Sequence, residues 1–467
     1  MHNATPSVLE GTHHPSSFRD NRAFLFRRDG QLYRAVHKTY KSDYELLHSS
    51  GLYQELTARN WLVPHHEISM LAPADISLIL KPELLPCITY PYEWSFSQLK
   101  QAALLTLKIA DLALKHNMLL KDASGFNVGW KDGEPIFIDL PSFRALVPGE
   151  PWPAYRQFCS HFLAPLSLMA YVDLNLQKLL LSNIDGLPLD LASRLMPRRT
   201  WLNLNLLIHI HLHARAQKKY SGTEKKVEVS VSATTLRNLF HSLRLTVEKM
   251  RLPTVMTEWG DYYSATNYTP EQFEQKKAAI AAWIEEVKPA TVFDIGANDG
   301  TFSRLAGRRA ALVVSADIDP VAIEKNFNFL AANKIKNIVP LLQDLAQPSP
   351  GLGWNLEERT PLRDRIQPDM GLALALVHHI VIGNNVPLKM FCRYLHQTAP
   401  AWIVEFPAKD DSQVQRLLRN REDIFPDYTV QGFERAMEEF FTIKETRPIE
   451  GSHRTLYLAM RRQRASQ

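Results

Sequence analysis

After Pro289 short apolar runs alternate with amphipathic stretches of helix length. ATVFDI, ALVVSADI and NIVPLLQ read as buried strands, and DGTFSRLAGRR and PVAIEKNFNFLAAN as the helices between them. MGLALALV, a helix start at Asn-Asn-Val-Pro, AWIVEF, FFTIKET and TLYLAMR continue the series. Strands alternating with helices in this way predict an α/β domain with a mainly parallel, doubly wound, Rossmann-like sheet. In such a sheet a ligand sits outside the carboxyl ends of the strands.

The first half follows another pattern. FLFRRDG and QLYRAVH predict a hairpin around Asp29-Gly30. SFSQLKQAALLTLKIADLALKHN reads as one long helix, PIFID as a short buried strand, and Trp152 to Arg215 as almost wholly helical. That combination is an α+β domain rich in helices. The polar, lysine-rich stretch QKKYSGTEKKVEVSVS separates the halves, and a helix over Thr234–Met250 is stopped by Pro253. The expected division is a flexible N-terminus over 1–19, the α+β domain over 20–216, a linker and bridging helix over 217–253, and the α/β domain over 254–467.

Composition narrows the class. With 45% hydrophobic and 22% charged residues, the chain excludes a disordered or collagen-like protein. Its formal charge of +5 is small for 467 residues, and no Lys/Arg block with interleaved aromatics marks a nucleic-acid groove. Cys87, Cys159 and Cys392 lie far apart, without a CxxC pair, so buried reduced thiols are expected rather than disulfides or a zinc ribbon. The N-terminus has no signal-peptide pattern, and no apolar run is long enough to span a membrane. A cytoplasmic protein is the expectation. The series His209, His211, His213 places only its outer pair on one helix face, so satisfied core or solvated histidines are expected there and no metal.

The chemistry concentrates at Val292-Phe293-Asp294-Ile295-Gly296-Ala297-Asn298-Asp299-Gly300. Here a strand ends in an acid, a glycine turn follows, and a helix opens after Gly300. Gly296 permits close backbone approach to a ligand, and Gly300 close packing of helix on strand. The dinucleotide fingerprint GxGxxG is absent, which disfavours a nicotinamide cofactor. Two further acids stand at strand ends, Asp317 (followed by Ile318) and Asp344 (followed by Leu345). Asp299 and Asp319 read as helix caps or turn residues.

This constellation resembles motif I and the neighbouring acidic positions of class I S-adenosylmethionine-dependent methyltransferases. The resemblance covers residues 255–460 well. It implies S-adenosylmethionine as cofactor, with Asp294, Gly296, Ala297, Asn298 and Gly300 around its amino-acid end. It places Asp317 and Ile318 at the ribose, and Asp344 and Leu345 at the adenine. Glu258 to Tyr263, with Trp259, and Asn267-Tyr268 are a candidate aromatic cover. Leu376-Val377-His378-His379 is expected to end the fourth strand and Glu405 the fifth. His378, His379 and, more weakly, Glu405 are candidate bases for a nucleophile that must lose a proton.

Residues 112–143 carry Asp122-x4-Asn127 followed by Asp139, similar to the catalytic loop and metal-binding acid of protein kinases. The match over 20–215 is loose. Leu120 stands where that family has histidine, Leu-Pro follows Asp139, and no glycine-rich loop lies in residues 20–40. Arg34 or Lys38 is left to stand for the strand lysine, with Glu55 as helix partner. The kinase-like half is therefore expected to position an acceptor rather than transfer phosphate.

The whole chain resembles bacterial proteins that join a kinase-like segment to a methyltransferase, as in nodulation-type and surface-polysaccharide methyltransferases. No Asn-Pro-Pro-aromatic tetrapeptide follows strand four, which argues against nucleic-acid bases as acceptor. A small molecule, a lipid-linked sugar or a glycan is the expected acceptor. The rival readings are a bifunctional kinase/methyltransferase, a protein methyltransferase, and a non-catalytic binding module.

Overall fold

Apolar positions alternate on either side of Asp29-Gly30, and both turn residues adopt positive φ (51° and 74°), as a two-residue hairpin requires. The hairpin Ala23–Arg28/Gln31–His37 forms accordingly. In the computed structural model, residues 11–220, 230–252, 257, 268–419 and 421–462 are described, with backbone only for 217–220. Trp259, the rest of the Glu258–Tyr263 stretch and Asn267 lie outside the described residues, as do 1–10 of the expected flexible terminus and 221–229 of the expected linker.

The chain forms two units, Met1–Thr254 with Gly351–Thr360, and Val255–Pro350 with Pro361–Gln467. In the first, five antiparallel strands run in the order Thr12–His13, Ala23–Arg28, Gln31–His37, Ile76–Pro82, His65–Glu67. The long helix Phe96–Lys115 starts at a reciprocal cap between Ser95 and Gln98 and buries most of its apolar residues. The helix Ala233–Lys249, capped by Ser232, packs against it and belongs to this unit. Short helices fill Tyr155–Tyr220. In the expected histidine series, His209 and His211 are hydrogen-bonded internally, whereas the buried His213 Nδ1 has no partner among the described residues. His209 bonds Tyr155 and Ser242, His211 bonds Ser193 and Thr200, and His213 stacks on Tyr155 at 4.7 Å.

The second unit is the doubly wound sheet. Its strands are β1 (Thr291–Ile295), β2 (Leu312–Asp317), β3 (Ile338–Leu342), β4 (Met370–Ala373), β5 (Ala401–Pro407), β6 (Phe441–Pro448) and β7 (Arg454–Arg461). They lie in the order 3-2-1-4-5-7-6. The first five are parallel, and β7 runs antiparallel between β5 and β6. The order reverses at β1, so the crevice at its carboxyl end is the switch point. The helix Pro270–Val287 buries Ile280, Trp283 and Ile284 against Val292, Val313 and Leu372, each worth roughly 1.5–3 kcal/mol of apolar burial.

Two strand ends differ from the sequence reading. β4 stops at Ala373, where Ala375 turns the chain at φ 52°, and His378 and His379 lie at the start of the helical turn His379–Gly383. The apolar run MGLALALV thus contains a strand, a turn and a helix start, which hydrophobicity alone does not separate. Glu405 lies inside β5, which continues to Pro407.

Candidate active site

The turn after β1 is held by backbone geometry. Gly296 (φ 73°), Asn298 (φ 51°) and Gly300 (φ 79°) all adopt left-handed conformations. A Cβ on Gly300 would stand 2.3 Å from the Asn326 side-chain oxygen, so only glycine lets the helix Thr301–Ala306 start here. Asp299 is a turn residue that accepts the Thr301 N–H at 3.0 Å just before that helix, and Asp319 caps Pro320–Ala332 through Val321 and Ala322.

Each expected acid is held differently. Asp294 accepts a hydrogen bond from the Ser303 hydroxyl at 2.6 Å, and Ser303 lies 2.7 Å from Ser315 on β2. Burial raises its pKa to about 7; Ser303 and Lys276 oppose the rise and the nearby Asp317 charge adds to it. Asp317 accepts the Asn298 N–H at 2.8 Å on one oxygen and the Asp319 N–H at 2.8 Å on the other. Burial also raises this carboxyl, to about 6, against those backbone donors. Asp344 is half-buried just beyond β3 and accepts the Ala346 N–H at 2.9 Å.

These residues share one cavity of about 280 Å³. Asp294, Gly296, Ala297, Asn298, Asp317, Ile318, Asp344 and Leu345 line it together, with Tyr268 and His379. Gly300 shapes the turn without lining the cavity. Phe302, Leu374 and Leu376 supply apolar wall, and a Cβ on Gly296 would come within 3.1 Å of Leu376. Acids near three strand ends with apolar walls between them make this a ligand cavity at the switch point of the sheet.

The three candidate bases separate. His379 lines the cavity, and burial, reinforced by Arg454 and Arg416, lowers its pKa to about 4. His378 is buried behind it, ring centroids 4.0 Å apart, with neither ring nitrogen hydrogen-bonded among the described residues. Burial and the His379 charge push its pKa well below the usual value. Glu405 is fully buried in an ion cluster. Lys276 contacts it at 2.5 Å, Arg454 at 3.2 Å, and the Tyr268 hydroxyl donates to it. Arg454 also pairs with Asp411 at 2.7 Å. Burial would push Glu405 up, but Lys276 and Arg454 outweigh it and hold its pKa at about 2. A carboxylate so held stays ionised and paired.

Lys276, which also lines the cavity, escaped the sequence reading. Its signal was a lysine standing on the apolar stripe Phe273, Ile280, Trp283, Ile284 and Val287 of its helix.

In the first unit Asp122, Asn127 and Asp139 fall in one neighbourhood. Arg34 Nη1 lies 2.7 Å from Asp139, Ser142 Oγ donates to the other Asp139 oxygen at 2.5 Å, and Asn127 donates to Ser142 at 3.3 Å. Asp122 accepts the Ser124 N–H at 3.0 Å; burial and the Asp139 charge raise its pKa. Glu55 pairs with His116 and Arg59, each within 3 Å, and not with Arg34.

Fold and site together define an α/β domain with a ligand cavity at the switch point of its sheet, joined to an α+β domain. The chain belongs to the family of the nodulation protein NoeA of Rhizobium meliloti (strain 1021). It is 32% identical to that protein over 461 residues, 94% of each chain. No protein-family model matches. Solved structures similar to part of the chain include magnesium protoporphyrin IX methyltransferase from Synechocystis PCC 6803 with bound SAM. That likeness has 16% identity and a TM-score of 0.31, and covers 43% of this chain and 88% of that one. Another is the N-methyltransferase NodS from Bradyrhizobium japonicum WM9 in complex with S-adenosyl-l-homocysteine, with 10% identity and a TM-score of 0.31, covering 42% and 90%.

Proposed function

We propose that this protein is an S-adenosylmethionine-dependent methyltransferase acting on an oxygen or nitrogen of a small-molecule, lipid-linked or glycan acceptor. The observation that carries the reading is the convergence of Asp294, Asp317 and Asp344 with the Gly296 turn on one cavity. Asp294 and the turn would hold the amino-acid end of the cofactor, Asp317 its ribose hydroxyls, and Asp344 with Leu345 its adenine. When bound, the cofactor supplies a methyl group on a sulfonium, open to in-line displacement.

The chain's own part is alignment and exclusion of water. Phe302, Leu374, Leu376 and Ile380 form the apolar wall, and His379 is the group placed to take the acceptor's proton. Burial, with Arg454 and Arg416, keeps its imidazole neutral at physiological pH, the protonation state a base requires. His378 supports it from behind. Glu405 and Arg454 brace Lys276 and Tyr268.

The first unit positions the acceptor and does not transfer phosphate, because Arg34 already occupies the acid that a kinase reserves for magnesium. Titration calorimetry with S-adenosylhomocysteine tests the cofactor. Absence of heat and of any thermal shift refutes it. Labelled S-adenosylmethionine incubated with cell-extract fractions tests the acceptor. Label lost to protease and retained through glycosidase and lipid extraction identifies a protein acceptor instead.

A further inference from the structure

The helical segment of the first unit exposes apolar side chains at regular spacing. Within Leu204–Leu206 and the helical turns that follow, Leu206, Ile210 and Ala214 face inward and are buried. Four residues apart on another face, Leu204, Ile208 and Leu212 remain exposed, at 66%, 43% and 44%. Leu202, just before them, is 90% exposed, the highest value of any large apolar side chain among the described residues. Leu195, at the end of the preceding helix, adds a fifth. Isolated exposed leucines are ordinary, but a spaced group on consecutive turns is a surface awaiting a cover.

The charged residues of this segment are of one sign. No Asp or Glu occurs between Asp190 and Glu224, while Arg194, Arg198, Arg199 and Arg215 fall in that interval; Arg194 pairs with Asp190 at 3.4 Å. Arg198 and Arg199 are exposed and have no carboxylate partner among the described residues. Arg215 lies over the Trp201 ring at 4.4 Å, and Trp201 stacks on His211 at 4.2 Å, so an aromatic–cation stack borders the leucines. No helix among the described residues is long and apolar enough to cross a membrane.

We propose that this face, centred on Leu202, Leu204, Ile208 and Leu212 and flanked by Arg198 and Arg199, docks onto an anionic lipid surface. Apolar side chains enter the headgroup–acyl boundary while arginines meet lipid phosphates, with Trp201 at the level of the interface. A second copy of the chain fits less well. A two-fold contact sets two patches of the same positive charge against each other, with no acid from residues 191–223 to neutralise them. An anionic surface satisfies both the apolar stripe and the unpaired charge. The inference stands on these helices alone and is independent of the methyl-transfer reading.

The full chain is tested by sedimentation with vesicles of phosphatidylcholine, with and without phosphatidylglycerol. The expected result is binding to the phosphatidylglycerol vesicles, weakened by salt. Arg198→Glu with Arg199→Glu should lower that binding by about tenfold or more. Leu202→Ser with Leu204→Ser should lower it at unchanged melting temperature, since both side chains are exposed. Light scattering in the absence of vesicles gives the oligomeric state. Lack of binding to anionic vesicles overturns the proposal, as does equal binding to both vesicle types. A solution dimer that the leucine substitutions dissociate, with vesicle binding absent, assigns the face to self-association instead.

Discussion

The Asp317 carboxylate accepts the backbone N–H of Asn298 at 2.8 Å, so the end of β2 holds the glycine turn that follows β1. Its other oxygen accepts the Asp319 N–H, at the mouth of the next helix. One side chain therefore sets the spacing of two walls of the cavity and presents its remaining lone pairs to whatever lies between them. Asp317→Ala should weaken S-adenosylhomocysteine binding by at least about tenfold, from loss of charged hydrogen bonds worth roughly 1.5–3 kcal/mol each. Asp317→Asn should not restore it, because an amide NH₂ would face one of the two backbone donors. Calorimetry on both variants checks this, and wild-type affinity in either one refutes the assignment.

Asp294 gives a pH dependence with a defined sign. An unfolded carboxyl titrates near 3.9, whereas burial raises this one to about 7 in the folded chain. The folded state therefore holds the extra proton between those values, and the stabilisation it gives is lost as pH rises through about 7. A cofactor ammonium beside Asp294 would favour the ionised form. Affinity for S-adenosylhomocysteine should then fall by up to about tenfold per pH unit below about 7. Calorimetry in buffers of different ionisation enthalpy should show proton release on binding. Asp294→Asn should abolish that release.

Much of this site was legible in the sequence. Asp294, Asp317 and Asp344 are readable because buried parallel strands are short apolar runs, and each acid stands within two residues of the end of one. The roles of Asp299 as a turn residue and Asp319 as a helix cap were equally local. Lys276 was not readable as a partner of Glu405, since the contact joins a helix to a strand 129 residues further along. Arg34 and Asp139 are 105 residues apart, and no local pattern distinguishes Arg34 from Lys38 as the strand cation that reaches the acid. His378 and His379 were placed on a strand because the turn at Ala375 leaves no glycine or proline to announce it.

Glu405 tests whether the buried cluster is structural. Its depressed pKa gives stability that is present above about 4.5 and lost as pH falls toward about 2, the opposite sign to Asp294. Glu405→Gln leaves Lys276 and Arg454 buried without their shared anion and should cost on the order of 3–5 kcal/mol in urea unfolding. Unchanged stability with lost turnover would instead make Glu405 a base. Pairing Glu405→Leu with Lys276→Met should recover part of the loss, because the two charges then disappear together.

His379 separates turnover from binding. Its pKa of about 4 keeps the imidazole neutral above about pH 5, so it adds no inflection near 6.5 to the profile of kcat. His379→Ala should lower kcat by roughly 10²–10⁴ while S-adenosylhomocysteine affinity falls far less. Parallel losses of kcat and affinity would reduce it to a wall residue.

In the first unit, the Arg34 guanidinium and the Ser142 hydroxyl take the two Asp139 oxygens, at 2.7 and 2.5 Å. A kinase uses the corresponding acid to hold magnesium against the phosphates, and needs a glycine-rich loop to cover them. Here the acid already has a cation of its own, and the hairpin turn at Asp29-Gly30 is only two residues long. Magnesium-dependent ATP turnover should therefore be absent in the presence of the methyl acceptor. Arg34→Ala should destabilise the unit without creating that activity, because the phosphate-covering loop is still missing. Asp122→Ala should change stability or acceptor binding and leave S-adenosylhomocysteine affinity unchanged. A robust ATP turnover rate abolished by both Asp122→Ala and Asp139→Ala would show the first unit to be a working phosphotransferase and the chain bifunctional.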